Sequence, residues 1–421
     1  MYRDSIISLL KEEMRPALGV TEPAAISLAC AVVYQRLGGD LRRIELTLDP
    51  GVFKNAFSCG IPGTAESGIE TAALLGVLAG EPDLSLEVLK NLREEHISRA
   101  RQLKEKGFVS VEISKEDPGI FIKARVGTDR GDAETLIRDR HDKIVEVGVN
   151  GEQVFQKNAD QASSGDRYNI TSLNLEEIKT FVETAPFGDI SFVLKAAEMN
   201  KALADAGKEG PGMGVGLGLE RLVSAGKIAE DAVTTARILT ARAVDARMGG
   251  IPRPAMSICG SGDHGIIAVM PLIALAGMYG FGDEPLARAI VLSYLVTIFI
   301  KQVSGRLSAF CGCAVAAGTG AAAGGAYLLG GGIEQIGGAI MNMAADITGI
   351  ICDGGNYGCA LKASTGAGSA VINALLAMEG VVIPEKSGIV GKTVEETMRN
   401  MGRIASPGMV QTNDTILDIL R

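Results

Sequence analysis

The chain has 421 residues, a formal net charge of −9, 54 glycines and no tryptophan. A negative chain without a basic run is a poor partner for nucleic acid, because lysine and arginine contacts to phosphate supply most of that affinity. Seven cysteines, an odd number, and a first segment too charged for a secretory signal predict a reducing, cytoplasmic location where thiols ligate metals or stay buried.

The period of the apolar residues changes twice along the chain. Residues 2–102 follow a helical period, interrupted by an alternating segment at 43–49 that predicts a strand. Alternation dominates at 108–155 and predicts several further strands. The helical period returns after about residue 175 and continues to the carboxyl terminus.

The strand-rich region predicts a small inserted domain. Asp117-Pro118-Gly119 and Asn150-Gly151 have the composition of hairpin turns, and the polar segment 160–166 has that of a linker. We therefore predict a mainly α protein with an α+β insert. A discontinuous helical domain takes residues 1–104 and 186–421, and the inserted α+β domain takes residues 105–185.

Three stretches at 265–282, 289–300 and 311–333 are nearly free of charge, and the last is long enough to cross a bilayer. That stretch consists mostly of alanine and glycine, which contribute little transfer energy, and it has no basic flanks or aromatic belt. The composition therefore favours buried helices of a soluble core over membrane spans.

Two early segments carry polar groups suited to a small ligand. Thr21-Glu22-Pro23 has the composition of a helix start, with Thr21 as the cap and Glu22 at the positive end of the helix dipole. In the glycine-rich segment 54–68, the backbone N–H groups of Gly63 and Thr64 precede a helix and are suited to a carboxylate. An ordinary helix start and an ordinary turn explain these patterns equally well.

A denser polar cluster occurs at 259–265, where glycines enclose Ser261, Asp263 and His264 just before an apolar helix. A lone histidine is more often structural than catalytic. Polar groups at the mouth of a buried helix must nevertheless find partners or carry function. The segment is therefore a candidate for proton transfer.

Four late cysteines form the sharpest pattern: Cys311, Cys313, Cys352 and Cys359 lie in glycine-rich turns between apolar segments. Thiolates favour iron–sulfur clusters, zinc or Cu(I), and the absence of a Cys-x-x-Cys pair disfavours structural zinc. Spacing alone leaves a metal site and buried free thiols equally open.

Five motifs in order resemble the family of L-cysteine desulfidases and serine dehydratase α-chain-like proteins, which are oxygen-sensitive [4Fe–4S] enzymes. The resemblance covers nearly the whole chain. The motifs are GVTEPAAISLACA (19–31), KNAFSCGIPGT (54–64), GSGDHGI (260–266), RLSAFCGCAVAAGTGAAAG (306–324) and GIICDGGNYGCALKASTGAGSA (349–370).

The resemblance implies a [4Fe–4S] cluster held by Cys311, Cys352 and Cys359 in the helical domain, with Cys313 as the alternative to Cys311. It also implies an α,β-elimination on a small amino acid, most simply L-cysteine to pyruvate, ammonia and sulfide. An iron left open can act as a Lewis acid on the leaving group, with no redox change.

Site roles follow from the same resemblance. Lys54, Asn55, Gly63 and Thr64 would bind the substrate carboxylate, and Glu22 would bind its ammonium. Ser261, Asp263 and His264 would orient the substrate and move protons.

The chain departs from the family at Val20, where the usual Gly-Cys-Thr-Glu-Pro motif has the cysteine proposed as general base. Valine cannot move a proton, so His264 could replace the lost thiol or serve a different substrate. Dehydration of L-serine or another small hydroxy acid is the close competitor to desulfuration.

Three further classes remain open from the sequence. They are a degenerate, non-catalytic member that binds a metabolite, a membrane carrier, and a pyridoxal-phosphate enzyme using Lys54 or Lys362. The sequence is also compatible with a homo-oligomer.

Overall fold

The computed structural model describes residues 2–114, 119–156 and 168–420. It is 61% helical, with 17 α-helices among these residues and a mixed sheet of six strands, which confirms the predicted class. Asp117 and Pro118 of the first predicted turn, and the predicted linker 160–166, lie outside the described residues.

Helices occupy both ends of the chain and surround the strands in sequence. They are α1 (Tyr2–Glu13), α2 (Thr21–Leu37), α3 (Pro50–Ala56), α4 (Ile69–Ala79), α5 (Glu94–Glu105), α6 (Leu175–Thr184), α7 (Phe187–Ile190), α8 (Leu194–Ala206), α9 (Val215–Ser224), α10 (Ala232–Met248), α11 (Gly262–Tyr279), α12 (Asp283–Ser304), α13 (Gly318–Leu328), α14 (Ile333–Ile347), α15 (Cys359–Met378), α16 (Val394–Arg403) and α17 (Val410–Leu420).

The strands form two sheets. They are β1 (Arg15–Leu18), β2 (Leu41–Leu48), β3 (Val109–Ile113), β4 (Phe121–Thr128), β5 (Gly131–Arg138), β6 (Ile144–Val149), β7 (Glu152–Gln156) and β8 (Pro254–Ser257). β1 and β8 form a two-stranded antiparallel ribbon, and the other six have the order β3-β2-β4-β5-β6-β7.

The predicted strands are confirmed, and the early one at 43–49 lies inside the large sheet, next to its edge strand β3. β2 pairs parallel with β3 and antiparallel with β4, so that Leu46 lies opposite Val111 on one side and Ala124 on the other. The predicted turn at Asn150-Gly151 joins β6 to β7 with positive φ angles of 52° and 84°, as a tight hairpin requires.

Two hydrophobic cores hold the chain together. The larger is built around α10, α11, α12, α13 and α15, whereas the second packs α2, α4 and α5 against the large sheet. The sheet includes β2, and the second core includes three helices, from outside the predicted insert at 105–185. The predicted boundaries at residues 105 and 185 match the limits of neither core and stay a prediction.

Among the described residues, α11 and α12 are long and apolar enough to cross a membrane. In each helix, 78% of the apolar window is buried inside the protein. Burial of this extent is what core helices show, so their composition is explained by packing.

Candidate functional site

Backbone hydrogen bonds hold together the two loops that carry the late cysteines. The Cys311 N–H donates to the Ile350 carbonyl at 2.7 Å, and the Cys352 N–H donates to the Ala309 carbonyl at 2.8 Å. These bonds flank an antiparallel bridge between Phe310 and Ile351. Two cysteines far apart in sequence are therefore fixed on neighbouring extended segments.

A tight turn carries the chain from Cys352 to Cys359, the first residue of α15. Gly354 has a φ of 102°, and a Cβ at this position would lie 2.4 Å from the Lys54 carbonyl oxygen, so that only glycine fits. The Asn356 side chain accepts a hydrogen bond from the Gly358 N–H at 2.8 Å and closes the turn. The glycines of this segment thus have a geometric role.

All four late cysteines line one cavity. The other lining residues come from α2 and the residue before it, from α3 and α10, from α11 and the residue before it, from the Cys352–Cys359 turn, and from α15. They are Val20, Thr21, Glu22, Asn55, Arg247, Met248, Ser261, Asp263, Ile267, Gly354, Gly355 and Lys362.

The thiols in this cavity differ in how readily they ionise. A hydrogen bond from the Cys313 thiol lowers the pKa of Cys311 to about 7, against the effect of burial. That same contact raises the pKa of Cys313, and burial raises the pKa of Cys352 and of Cys359. Because the two thiols share this hydrogen bond, one of the pair ionises more easily than an isolated buried thiol would, and the thiolate is the metal-binding form.

Lys54 lies behind the thiol loop. Its buried ammonium donates to the Cys352 carbonyl at 2.8 Å and to the Asn413 side chain at 2.7 Å, and it is not among the residues that line the cavity. The role of Lys54 as a carboxylate ligand stays a prediction. The hydrogen bonds of Lys54 fit a residue that positions the Cys352 loop.

Arg247 of α10 is a cavity residue that the sequence reasoning missed. Its Nη1 donates to Asp263 Oδ1 at 2.7 Å and its Nε to the Gly19 carbonyl at 3.1 Å, while its side chain is only 3% exposed. A buried guanidinium at the wall of a polar cavity can bind a carboxylate in a bidentate manner.

Glu22 and Asn55, both predicted, meet at the cavity wall. The Asn55 amide donates to Glu22 Oε1 at 2.9 Å, and Asn55 Oδ1 lies 3.9 Å from Cys352 Sγ. The predicted capping by Thr21 is wrong, because α2 begins at Thr21 itself. The one hydroxyl proton of Thr21 is shared between Glu22 Oε2 at 3.1 Å and the Gly260 carbonyl at 3.0 Å. The Thr21 side chain therefore links α2 to the turn before α11.

His141, also missed by the sequence reasoning, lies behind Glu22. It comes from the turn between β5 and β6, is 4% exposed, and places Nε2 3.4 Å from Glu22 Oε1. Burial raises the pKa of Glu22, but the nearby His141 imidazole and the hydrogen bond from the Asn55 amide outweigh it and lower that pKa to about 2. Glu22 is therefore an anion in the folded protein.

Gly63 and Thr64 lie away from the thiols. The Gly63 N–H donates to the Gly250 carbonyl at 2.8 Å and the Thr64 N–H to the Ile61 carbonyl at 3.1 Å, and neither residue lines the cavity. A carboxylate would have to displace both bonds. Their role as carboxylate ligands stays a prediction without support from these contacts.

The predicted polar cluster opens α11, as expected. Ser261 caps the helix, and its hydroxyl lies 3.8 Å from Cys313 Sγ, while Asp263 faces Arg247. His264 is buried beneath Gly312, outside the cavity lining, and burial and the charge of Lys301 place its pKa well below the usual range. The role of His264 as general base stays a prediction. The lowered pKa leaves the imidazole neutral, the form that can accept a proton.

We expect His264→Leu to retain or increase stability. Neither ring nitrogen of His264 has a hydrogen-bond partner among the described residues, and a buried unsatisfied polar group costs about 1–3 kcal/mol. The measurement is urea unfolding of the variant beside the wild type. A clear loss of stability would show that the imidazole has a partner, and full turnover by the variant would remove it as the base.

Val20 lines the cavity and lies near the Cys59 thiol. A Cβ on Gly355 would lie 3.4 Å from Val20 Cγ1 and 2.2 Å from Cys59 Sγ, so that both side chains pack against this glycine. Burial places the pKa of Cys59 well above its usual range. Cys59 is thus an un-ionised thiol behind the cavity wall.

The thiols of the cavity suit an iron–sulfur cluster better than a single metal ion. Among the described residues, no three His, Cys, Asp or Glu side chains converge as a one-ion site requires. A cluster spreads its ligands over several irons and uses thiolates, so thiols around a cavity suit it better than they suit zinc. Arg247 and Lys362 supply positive charge at the same wall.

Comparison with known proteins identifies the family of the chain. Residues 83–418 match the profile of the family described as serine dehydratase alpha chain. The chain is 45% identical to a UPF0597 protein of Clostridium botulinum, covering 100% of this chain and 99% of the relative. It is 40% identical to a UPF0597 protein of Desulfatibacillum aliphaticivorans (99% and 98% covered) and 37% identical to one of Clostridioides difficile (98% of each). The chain belongs to the serine dehydratase alpha-chain family.

Proposed function

We propose that the protein is a [4Fe–4S]-dependent lyase that carries out α,β-elimination on a small amino acid. The observation that carries this proposal is the convergence of four thiols, a buried arginine and an ionised glutamate on one cavity. L-cysteine is the first candidate substrate, and L-serine or another small hydroxy acid is the second.

Cys311, Cys352 and Cys359 would hold the cluster. The fixed pairing of the Cys311 and Cys352 loops supports this set. When bound, the cluster would supply an open iron as a Lewis acid for the departing sulfide or hydroxide. The chain's own part is to position thiols, offset their charge with Lys362 and Arg247, and hold the substrate.

The charges of the cavity match a zwitterion. Arg247 can bind the substrate carboxylate while it keeps its bond to Asp263, and Asn55 offers a second polar contact. Glu22 can accept the ammonium, since it is ionised and lies on the same wall. This assignment moves the carboxylate from Lys54, Gly63 and Thr64 to Arg247.

Proton transfer is assigned to the turn at the start of α11. Ser261 and Asp263 line the cavity, whereas His264 could act only through a rearrangement of the Gly312 turn. Val20 offers no proton. A second candidate function, binding of a metabolite without turnover, is favoured by that valine in the cavity wall.

An anaerobic substrate screen on protein reconstituted with iron and sulfide tests the proposal. Small thiol and hydroxy amino acids are supplied, and the release of sulfide, ammonia and keto acid is measured. We expect keto acid and ammonia in equal amounts from at least one substrate. Binding without any product would favour the non-catalytic alternative.

A further inference from the structure

His141 connects the large sheet to the cavity. Among the described residues, no side chain of β3–β7 lines the cavity, but the turn after β5 places His141 directly behind Glu22. Both side chains are at least nine-tenths buried. An imidazole–carboxylate pair therefore joins the turn after β5 to the cavity wall.

Glu22 is otherwise held by neutral groups. Its two oxygens accept from the Asn55 amide at 2.9 Å and from the Thr21 hydroxyl at 3.1 Å. A buried carboxylate needs a compensating cation nearby, because two neutral hydrogen bonds rarely offset the loss of water. Among the described residues, His141 is the basic side chain that lies within 4 Å of Glu22.

His141 also lines a second, small pocket that contains several charged residues. Gly260 lies between His141 and Arg306. A Cβ on Gly260 would lie 3.0 Å from Arg306 Nη1 and 3.4 Å from His141 Nδ1. Asp49 is also near His141. Burial raises the pKa of the Asp49 carboxyl group to about 6, and the charge of His141 opposes this rise. The other charged groups around the pocket are Glu12, Glu13, Arg15, Arg140 and Asp142.

We propose that His141 is a positioning residue through which the sheet holds the Glu22 carboxyl group in place for the ammonium group of the substrate. This inference rests on the proposed function, since it assigns Glu22 to the ammonium. It explains why a cavity built largely by the helical core needs the sheet beside it.

The opposing effects on Glu22 support this role. Burial alone would raise the pKa of Glu22, and His141 is the strongest of the groups that lower it. Without the imidazole, the carboxylate would gain a proton more easily and lose its attraction for a cation. A purely structural histidine would not change the preference of the site for ammonium.

The test compares two ligands that differ only in the ammonium group. Binding of L-alanine and of propionate to the reconstituted protein is measured anaerobically by calorimetry for wild type, His141→Gln, His141→Asn and Glu22→Gln. His96→Gln is the matched control, because His96 lies on α5 away from the cavity. His141→Asn is too short to reach Glu22 and serves if the glutamine variant does not fold.

We expect wild type and His96→Gln to prefer L-alanine over propionate. The preference should fall about tenfold in both His141 variants and in Glu22→Gln, because each loses the charged hydrogen bond between Glu22 and the ammonium group. An unchanged preference in the His141 variants would overturn the proposal, and so would a wild type without preference. A wild type that prefers L-alanine but turns over no substrate would refute the lyase function and leave this inference standing.

Discussion

Replacing Cys352 by alanine is expected to abolish the iron–sulfur chromophore and to lower kcat by about 10³-fold or more. The Cys352 loop is fixed against the Cys311 loop by two backbone hydrogen bonds, so no neighbouring thiol can move easily into its place. Loss of a Lewis acid removes several kcal/mol of transition-state stabilisation, and each 1.36 kcal/mol corresponds to about a tenfold change in rate. The measurements are the visible absorption band after anaerobic reconstitution and the rate of keto-acid release.

Cys30→Ala is the matched control for this experiment. Cys30 is fully buried in α2 within the second core, and burial raises its pKa to about 12, so that it has no role as a thiolate. The control should keep both the absorption band and the rate. A wild-type protein that stays colourless and binds one zinc ion would contradict the cluster assignment, and so would a Cys352→Ala variant with an intact band.

The pattern of the sequence was sufficient for the local structure. Alternating apolar residues predicted the strands, and Asn150-Gly151 predicted a hairpin turn, because these features depend on neighbours in sequence. The placement of β2 between β3 and β4 could not be predicted in this way. It depends on pairing between segments separated by α3, α4 and α5.

The candidate site was predicted in part for the same reason. Motif order pointed to the cysteines, Glu22 and Asn55, which line the cavity. Lys54 carries an equally suitable charge, yet its position on α3 directs it to the Cys352 carbonyl. Whether a charged side chain faces a ligand or a backbone carbonyl depends on long-range packing that a motif does not record.

Arg247 and His141 had weaker signals in the sequence. Arg247 belongs to ARAVDARM, where charged residues interrupt an otherwise small and apolar helix, and buried charges in such a helix must be paired. His141 is one of three histidines in the chain and follows a strand. Each signal calls attention to a residue but does not name its partner, and the partners Asp263 and Glu22 become evident only in the fold.

Arg247→Met is expected to lower both stability and activity. The substitution leaves Asp263 buried without its cation and removes the donor to the Gly19 carbonyl, and breaking a buried ion pair costs about 3–5 kcal/mol. Loss of the carboxylate-binding group should lower kcat/KM by about 10²–10³-fold. Urea unfolding and steady-state kinetics on the reconstituted enzyme measure the two effects separately.

The double variant Arg247→Met/Asp263→Leu separates packing from substrate binding. Apolar replacement of both members of a buried pair is often close to neutral for stability, so the double variant should regain much of the free energy of unfolding that Arg247→Met loses. It should regain none of the activity, because it lacks both the guanidinium that would bind the substrate carboxylate and the Asp263 carboxyl group assigned to proton transfer. Recovery of activity together with stability would show that Arg247 only supports the fold, and the substrate carboxylate would then have to be assigned to Lys362, the other cation on the cavity wall.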